Sequence, residues 1–171
     1  MKPPEDKEKV LELYLSGPTI LNNALSDLND GDLDYIPSNE GWTIRQIVHH
    51  IIDGDDIWKT GIKMALGNEQ PEFTLPWYWS QPQTEWAKHW KYEERSIEIS
   101  LALLKANREH VLQLLDHTHD GWSKSVRFLK HNGETELIPI GSAIQIQADH
   151  LVHHVDRISE IRKEINAKSS K

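Results

Sequence analysis

The sequence predicts an all-α protein: a single four-helix-bundle domain over residues 1–171, with a small β-hairpin before the last helix. Three observations predict it. Four long segments carry apolar residues at the 3.6-residue period of a helix. Two of them open on Thr/Ser-x-x-Gln, the spacing of a capping box. Between the third and fourth, Asn132-Gly133 separates two short runs containing β-formers, which signals a hairpin.

The first segment runs from about Pro4 to Asn29, with Val10, Leu13, Tyr14, Ile20, Leu21, Ala24, Leu25 and Leu28 as its apolar set. Ser16-Gly17-Pro18 is expected to kink or restart it, because proline lacks an N–H and disrupts a helix interior. Asn29-Asp30-Gly31-Asp32 is expected to end it. The second segment opens at Thr43, with Gln46 reaching back, and runs to about Leu66 before Gly67 stops it. A connector rich in proline and tryptophan follows, NEQPEFTLPWYWSQP. The third covers roughly Thr84 to Asp116, interrupted near Tyr92. The last starts after Gly141, with Ser142 and Gln145 in capping-box positions, and continues to about Asn166.

Composition narrows the function classes. No run approaches the ~20 apolar residues of a membrane span, and the start, MKPPEDKEKV, lacks the apolar core of a secretory signal. The chain has no cysteine, hence no disulfide, thiolate ligand or nucleophilic thiol. Cytoplasm is the default compartment. Lys plus Arg total 19 against 27 Asp plus Glu, a formal charge of −8, so the basic footprint of a nucleic-acid binder is missing. The only basic cluster, the tail Lys168-Ser169-Ser170-Lys171, is expected to fray rather than bind.

The histidines carry the chemistry. In the second helix Ile44, Ile47, Ile51, Trp58, Ile62 and Ala65 share an arc, and His50 lies at its margin, about 60° from Ile47. His49 projects about 100° further round, toward Arg45 and Lys63, and is expected to face solvent. In the last helix Ala143, Ile144, Leu151, Ile158, Ile161 and Ile165 form the apolar stripe. His150 and His154 sit on or beside it, one turn and about 40° apart, with Cβ atoms about 6 Å from each other. His153 is expected at the surface or just outside the site. A lone inward histidine is ordinarily a hydrogen-bonded core residue. An inward pair one turn apart is harder to satisfy that way, because two buried imidazoles need partners for their polar nitrogens. A shared cation meets that need, and His50 makes a third nitrogen donor. Three imidazoles without a thiolate suit Zn²⁺ or Ni²⁺ and leave positions open, as catalytic sites do. Leu151 stands where a zincin carries its glutamate, so a zincin-type peptidase is not expected.

GWTIRQIVHHIID, followed far downstream by HLVHH leading into VDRISEI, resembles the DinB-like superfamily, and within it the YfiT branch with its bacillithiol-transferase-like members. The resemblance also takes in the run IKMALGNEQPEF and the hairpin. It implies an up-down-down-up four-helix bundle, often a homodimer, with a divalent metal held by one histidine of the second helix and two of the fourth. Carried over by position, these are His50, His150 and His154. It also implies activities ranging from thiol-dependent S-transferases and isomerases to metal-dependent hydrolases. One departure is Arg157, standing where YfiT-like chains tend to have a further histidine; it cannot move protons near neutral pH but could grip a substrate carboxylate.

The expected function is therefore a metal-dependent enzyme. The first reading is an S-transferase in which the metal activates a low-molecular-weight thiol, with a small electrophile as the other substrate. The alternatives are a hydrolase using metal-activated water, or a non-catalytic metal-binding stress protein. Trp77, Tyr78, Trp79 and Trp86 are expected to plug the bundle end more than to bind substrate, and Asp53 is expected to be a solvated helix carboxylate, with orientation of a ligand imidazole as its second reading. No organic cofactor is expected, and no residue is assigned a catalytic role.

Overall fold

The computed structural model describes residues 1–169. Four long helices dominate: α1 (Lys7–Ala24), α3 (Ile44–Gly67), α6 (Ile97–Asp116) and α7 (Ile140–Ser169), with short helices α2 (Asp30–Leu33), α4 (Pro76–Trp79) and α5 (Gln83–His89) between them. The predicted four-helix bundle is the architecture observed. α1 packs against α6 and α7, and α3 packs against the same two, so α1 and α3 face each other across the bundle. Residues 170 and 171, and the expectation of a fraying tail, lie outside the described residues; Lys168 is still helical and its ammonium lies 4.6 Å from the Tyr35 ring. Among the described residues no helix is long and apolar enough to cross a membrane.

The capping box at Thr43 forms as predicted: the Thr43 hydroxyl accepts from the Gln46 backbone N–H and the Gln46 side chain accepts from the Thr43 N–H. That at Ser142 does not. Ser142 donates to the Lys2 carbonyl instead, and α7 starts two residues earlier, directly from the hairpin. Its first amides, at Ile140 and Gly141, donate to the carbonyls of Lys124 and Trp122, so no side-chain cap is needed there. Asn29-Asp30-Gly31-Asp32 does not simply end a helix: Asn29 caps α2 in a capping box with Asp32. The third segment breaks into α5 and α6 around Tyr92, with Lys91 at φ 57°.

The hairpin is β2 (Ser125–Leu129) and β3 (Thr135–Pro139), antiparallel, turning at Gly133 with φ 84°. A third strand escaped sequence reasoning. β1 (Glu72–Thr74) pairs parallel with β2, setting Phe73 opposite Phe128. Three residues are too few to show alternation.

α1 runs unbroken through Pro18, contrary to the expected kink or restart. Pro18 has no N–H for the Tyr14 carbonyl four residues back. The Arg108 guanidinium of α6 takes that place, donating to Tyr14 O at 2.6 Å. Gly17 makes the approach possible, since a Cβ there would lie 2.0 Å from Arg108 Nη1. Arg108 is 1% exposed and also donates to both Asp55 oxygens (3.1 and 3.3 Å) and to the Gln147 carbonyl at 3.2 Å. One side chain thereby ties together all four long helices. Burial raises the Asp55 carboxyl above its ordinary value, and Arg108 pulls it back down. This polar node separates two apolar clusters: one with Val10, Ile62, Val111 and Ile144 beside the sheet, the other with Leu21, Ile51, Leu104 and Leu151.

Candidate metal centre

His50, His150 and His154 meet between α3 and α7. Both helices are locally regular, and their apolar stripes turn inward: Ile47, Ile51, Leu151 and Ile158 are all nearly or fully buried. A histidine at the edge of each stripe is carried inward with it. The Nε2 of His150 lies 3.2 Å from that of His50 and 3.1 Å from that of His154. Ring centroids are 4.5 to 5.1 Å apart, each pair edge-on. The Trp42 ring, just before the α3 cap, meets the His50 ring edge-on at 4.8 Å and fixes its outer side.

Burial pushes the His50 imidazole down to about 3, with help from His150 and His154. Burial likewise lowers His154 to about 4 and lowers His150. All three rings are therefore neutral at ordinary pH, each with one N–H and one lone pair. The central Nε2 of His150 faces two other nitrogens; if it carries a proton it can serve only one of them. With the protons on Nδ1, the three Nε2 lone pairs face one another in a buried space, an arrangement that a shared cation relieves. The spacing also suits one. Two nitrogens each about 2.05 Å from one zinc ion at a tetrahedral angle lie about 3.3 Å apart. The described residues place these three side chains within 4.8 Å of one another with no carboxylate in the group. An all-imidazole donor set fits a borderline divalent ion with coordination positions to spare.

Two cavities border the trio. One of about 140 Å³ is lined by His50, His150, Tyr78, Gln83 and Gln147. Another of about 410 Å³ is lined by Trp42, His153, His154 and Arg157. Arg157 is positioned there by hydrogen bonds to Asn39 and Glu160, both 2.7 Å.

His49 departs from expectation. It is fully buried, not solvent-facing: its Nε2–H donates to the Arg95 carbonyl at 3.2 Å and its Nδ1 accepts from the Ser100 hydroxyl at 2.9 Å. Helical phase gave its direction correctly, but α6 and the segment before it cover that side of α3 too. His153 is exposed, as expected. Asp53 turns away from the imidazoles toward Arg95, 3.6 Å away, and makes no hydrogen bond to the trio. Of the connector aromatics, Tyr78 reaches the small cavity, Trp79 packs on Phe128 by the sheet, and Trp86 donates to the Tyr78 carbonyl at 2.7 Å. Sequence reasoning did not reach the contact of Trp42 or Gln147 with the site, because neither residue type signals a ring contact or a cavity wall.

Fold and site together define a class: a four-helix bundle with a three-imidazole centre between its second and fourth long helices. The chain belongs to the DinB superfamily, whose sequence model matches residues 16–158. A protein of Oceanobacillus iheyensis, named provisionally as a metal-dependent hydrolase, is 34% identical over 146 residues, covering 85% of this chain and 80% of its own. YfiT of Bacillus subtilis, named in the same provisional way, is 26% identical over 168 residues, covering 93% and 85%. The solved YfiT structure superposes with a TM-score of 0.79 at 23% identity, over 97% of this chain and 94% of that one. The mycothiol-dependent maleylpyruvate isomerase superposes with a TM-score of 0.63 at 18% identity, over 88% of this chain and 60% of that one.

Proposed function

We propose that the chain is a metal-dependent enzyme whose His50, His150 and His154 hold a divalent ion, zinc or nickel by donor type. The observation that carries this reading is the convergence of three neutral imidazoles within 4.8 Å, without a carboxylate or thiolate. The ion would supply a Lewis acid that favours the anionic form of a bound thiol or water.

The chain's own residues do the rest. Burial keeps the three imidazoles unprotonated and available. Trp42 holds His50 in place. Arg157, at the wall of the cavity beside His154, offers a guanidinium to a carboxylate on the substrate. Tyr78 and Gln83 offer polar groups on the other side. Between the chemistries we favour transfer of a diffusible thiol to a small electrophile, because a structural neighbour is mycothiol-dependent; with no cysteine in the chain, the thiol would come from a cosubstrate. Hydrolysis is the second reading, favoured by the names of the relatives. A single domain, a homodimer and a cytoplasmic setting complete the proposal.

Metal analysis of untagged protein tests the site. About one ion per chain is expected, falling roughly 10-fold or more in His50→Ala, His150→Ala and His154→Ala but not in His153→Ala. Equal metal in all four variants refutes the assignment. Turnover of electrophiles with and without added thiol then separates the chemistries: thiol-independent turnover means hydrolysis.

A further inference from the structure

A cavity of about 570 Å³ opens beside α3 and β1, a volume suited to a small organic molecule. None of the three imidazoles lines it, yet it shares Ile57 and Leu75 with the small cavity that reaches His50 and His150. Its walls combine two kinds of group: the aromatic rings of Phe73, Trp77 and Trp90, and the carboxylates of Asp53, Asp56 and Glu72.

Among the described residues Arg95 is the one cationic side chain on the wall, and it is shared between Asp53 and other groups. Its guanidinium sits 5.7 Å from the Tyr92 ring centroid and donates to the Trp90 carbonyl at 3.5 Å. It pairs with Asp53 Oδ2 at 3.6 Å, outside hydrogen-bond reach, and the Tyr92 hydroxyl also bonds to the Asp53 carboxylate. Asp56 is matched by Lys59 at 3.2 Å, whereas Glu72 is exposed. Asp53 Oδ2 is buried without a hydrogen-bond partner, and so is Oγ1 of Thr74, a second residue of the same wall. A buried carboxylate oxygen lacking a donor is costly, and an incoming N–H offsets that cost. Aromatic faces attract the same kind of group, because their quadrupoles favour a cation.

We propose that this cavity binds an organic cation: a primary or secondary ammonium on an apolar body, the ammonium donating to Asp53 and Thr74 and the body lying against Phe73, Trp77 and Trp90. The site stands independently of the metal, although the shared wall places its occupant next to the imidazole centre.

The test titrates the full chain, both chelator-treated and zinc-loaded, with 3-phenylpropylammonium, 3-phenyl-1-propanol and 3-phenylpropionate, read by calorimetry and tryptophan fluorescence. The ammonium is expected to bind about tenfold or more tightly than the alcohol in both forms of the protein. Asp53→Asn should erase that preference. Thr60→Trp, which fills the cavity from an α3 position on its wall, should abolish binding of all three probes. Equal binding of the alcohol or tighter binding of the propionate overturns the proposal. So does an ammonium preference that survives Asp53→Asn, or binding that appears only with zinc. If Asp53→Asn does not fold, Thr60→Trp decides: undiminished binding places the ammonium elsewhere. Failure here leaves the three-histidine assignment untouched, because metal content is measured separately.

Discussion

Two of the polar clusters in the interior of this bundle are satisfied in different ways. At the first, Arg108 brings donors to Asp55, Tyr14 O and Gln147 O, and with the Gln147 amide nitrogen turned toward Asp55 a further bond forms at 3.3 Å. Opposite charges and complementary donors close the network from within. At the second, three side chains of the same kind meet at their Nε2 atoms, with no opposite charge among them. The difference teaches how to tell structure from function in a buried polar cluster. A network balanced in donors and acceptors holds helices together; a cluster with a surplus of lone pairs at one point calls for something from outside.

Breaking the closed node should cost the most. Asp55→Ala leaves a buried guanidinium without its counter-charge, and a loss of about 3–5 kcal/mol is expected in urea unfolding of the metal-free protein. His150→Ala should instead leave metal-free stability little changed while removing the ion. If the two variants lose equal stability without metal, the contrast between the sites is void.

Next in size is Gly17→Ala. A methyl group 2.0 Å from Arg108 Nη1 must displace the guanidinium from Tyr14 O, at a cost of about 1–3 kcal/mol. Alanine ordinarily stabilises a helix relative to glycine, so a raised Tm here would show that the node does not need the gap.

The last effect is spread over a pH range as a slope. Burial lowers the His49 imidazole to about 4, below its ordinary 6.5. The unfolded chain therefore takes up a proton between those values that the folded chain refuses. The contribution is fully present above pH 6.5 and is lost as pH falls toward 4. Metal-free protein should weaken over that window, and His49→Gln should flatten the slope. An unchanged slope would mean that His49 is not shielded as its contacts to Ser100 and Arg95 imply.

Much of this was legible in the chain because it is local. The inward arcs of α3 and α7 follow from the 3.6-residue period, so His50, His150 and His154 could be singled out by phase, and the Thr43 cap by a spacing of three. The Gly133 turn was legible for the same reason. Other features depend on partners distant in sequence. Whether His49 was buried depended on residues 95 and 100 covering it. Ser142 had its capping spacing, but its hydroxyl donates to the Lys2 carbonyl, and the Trp122 and Lys124 carbonyls accept the first amides of α7.

The sequence by itself determined the bundle, the capping of α3 and the inward phase of His50, His150 and His154, because helix period and cap spacing act over one or two turns. Only the tertiary structure decided that Arg108 would replace the N–H that Pro18 lacks, that Asp53 would turn to a cavity and not to the metal centre, and that three Nε2 atoms would come within reach of one ion. Each of these depends on the relative placement of helices joined through distant parts of the chain, and that placement is set by the packing of the whole core.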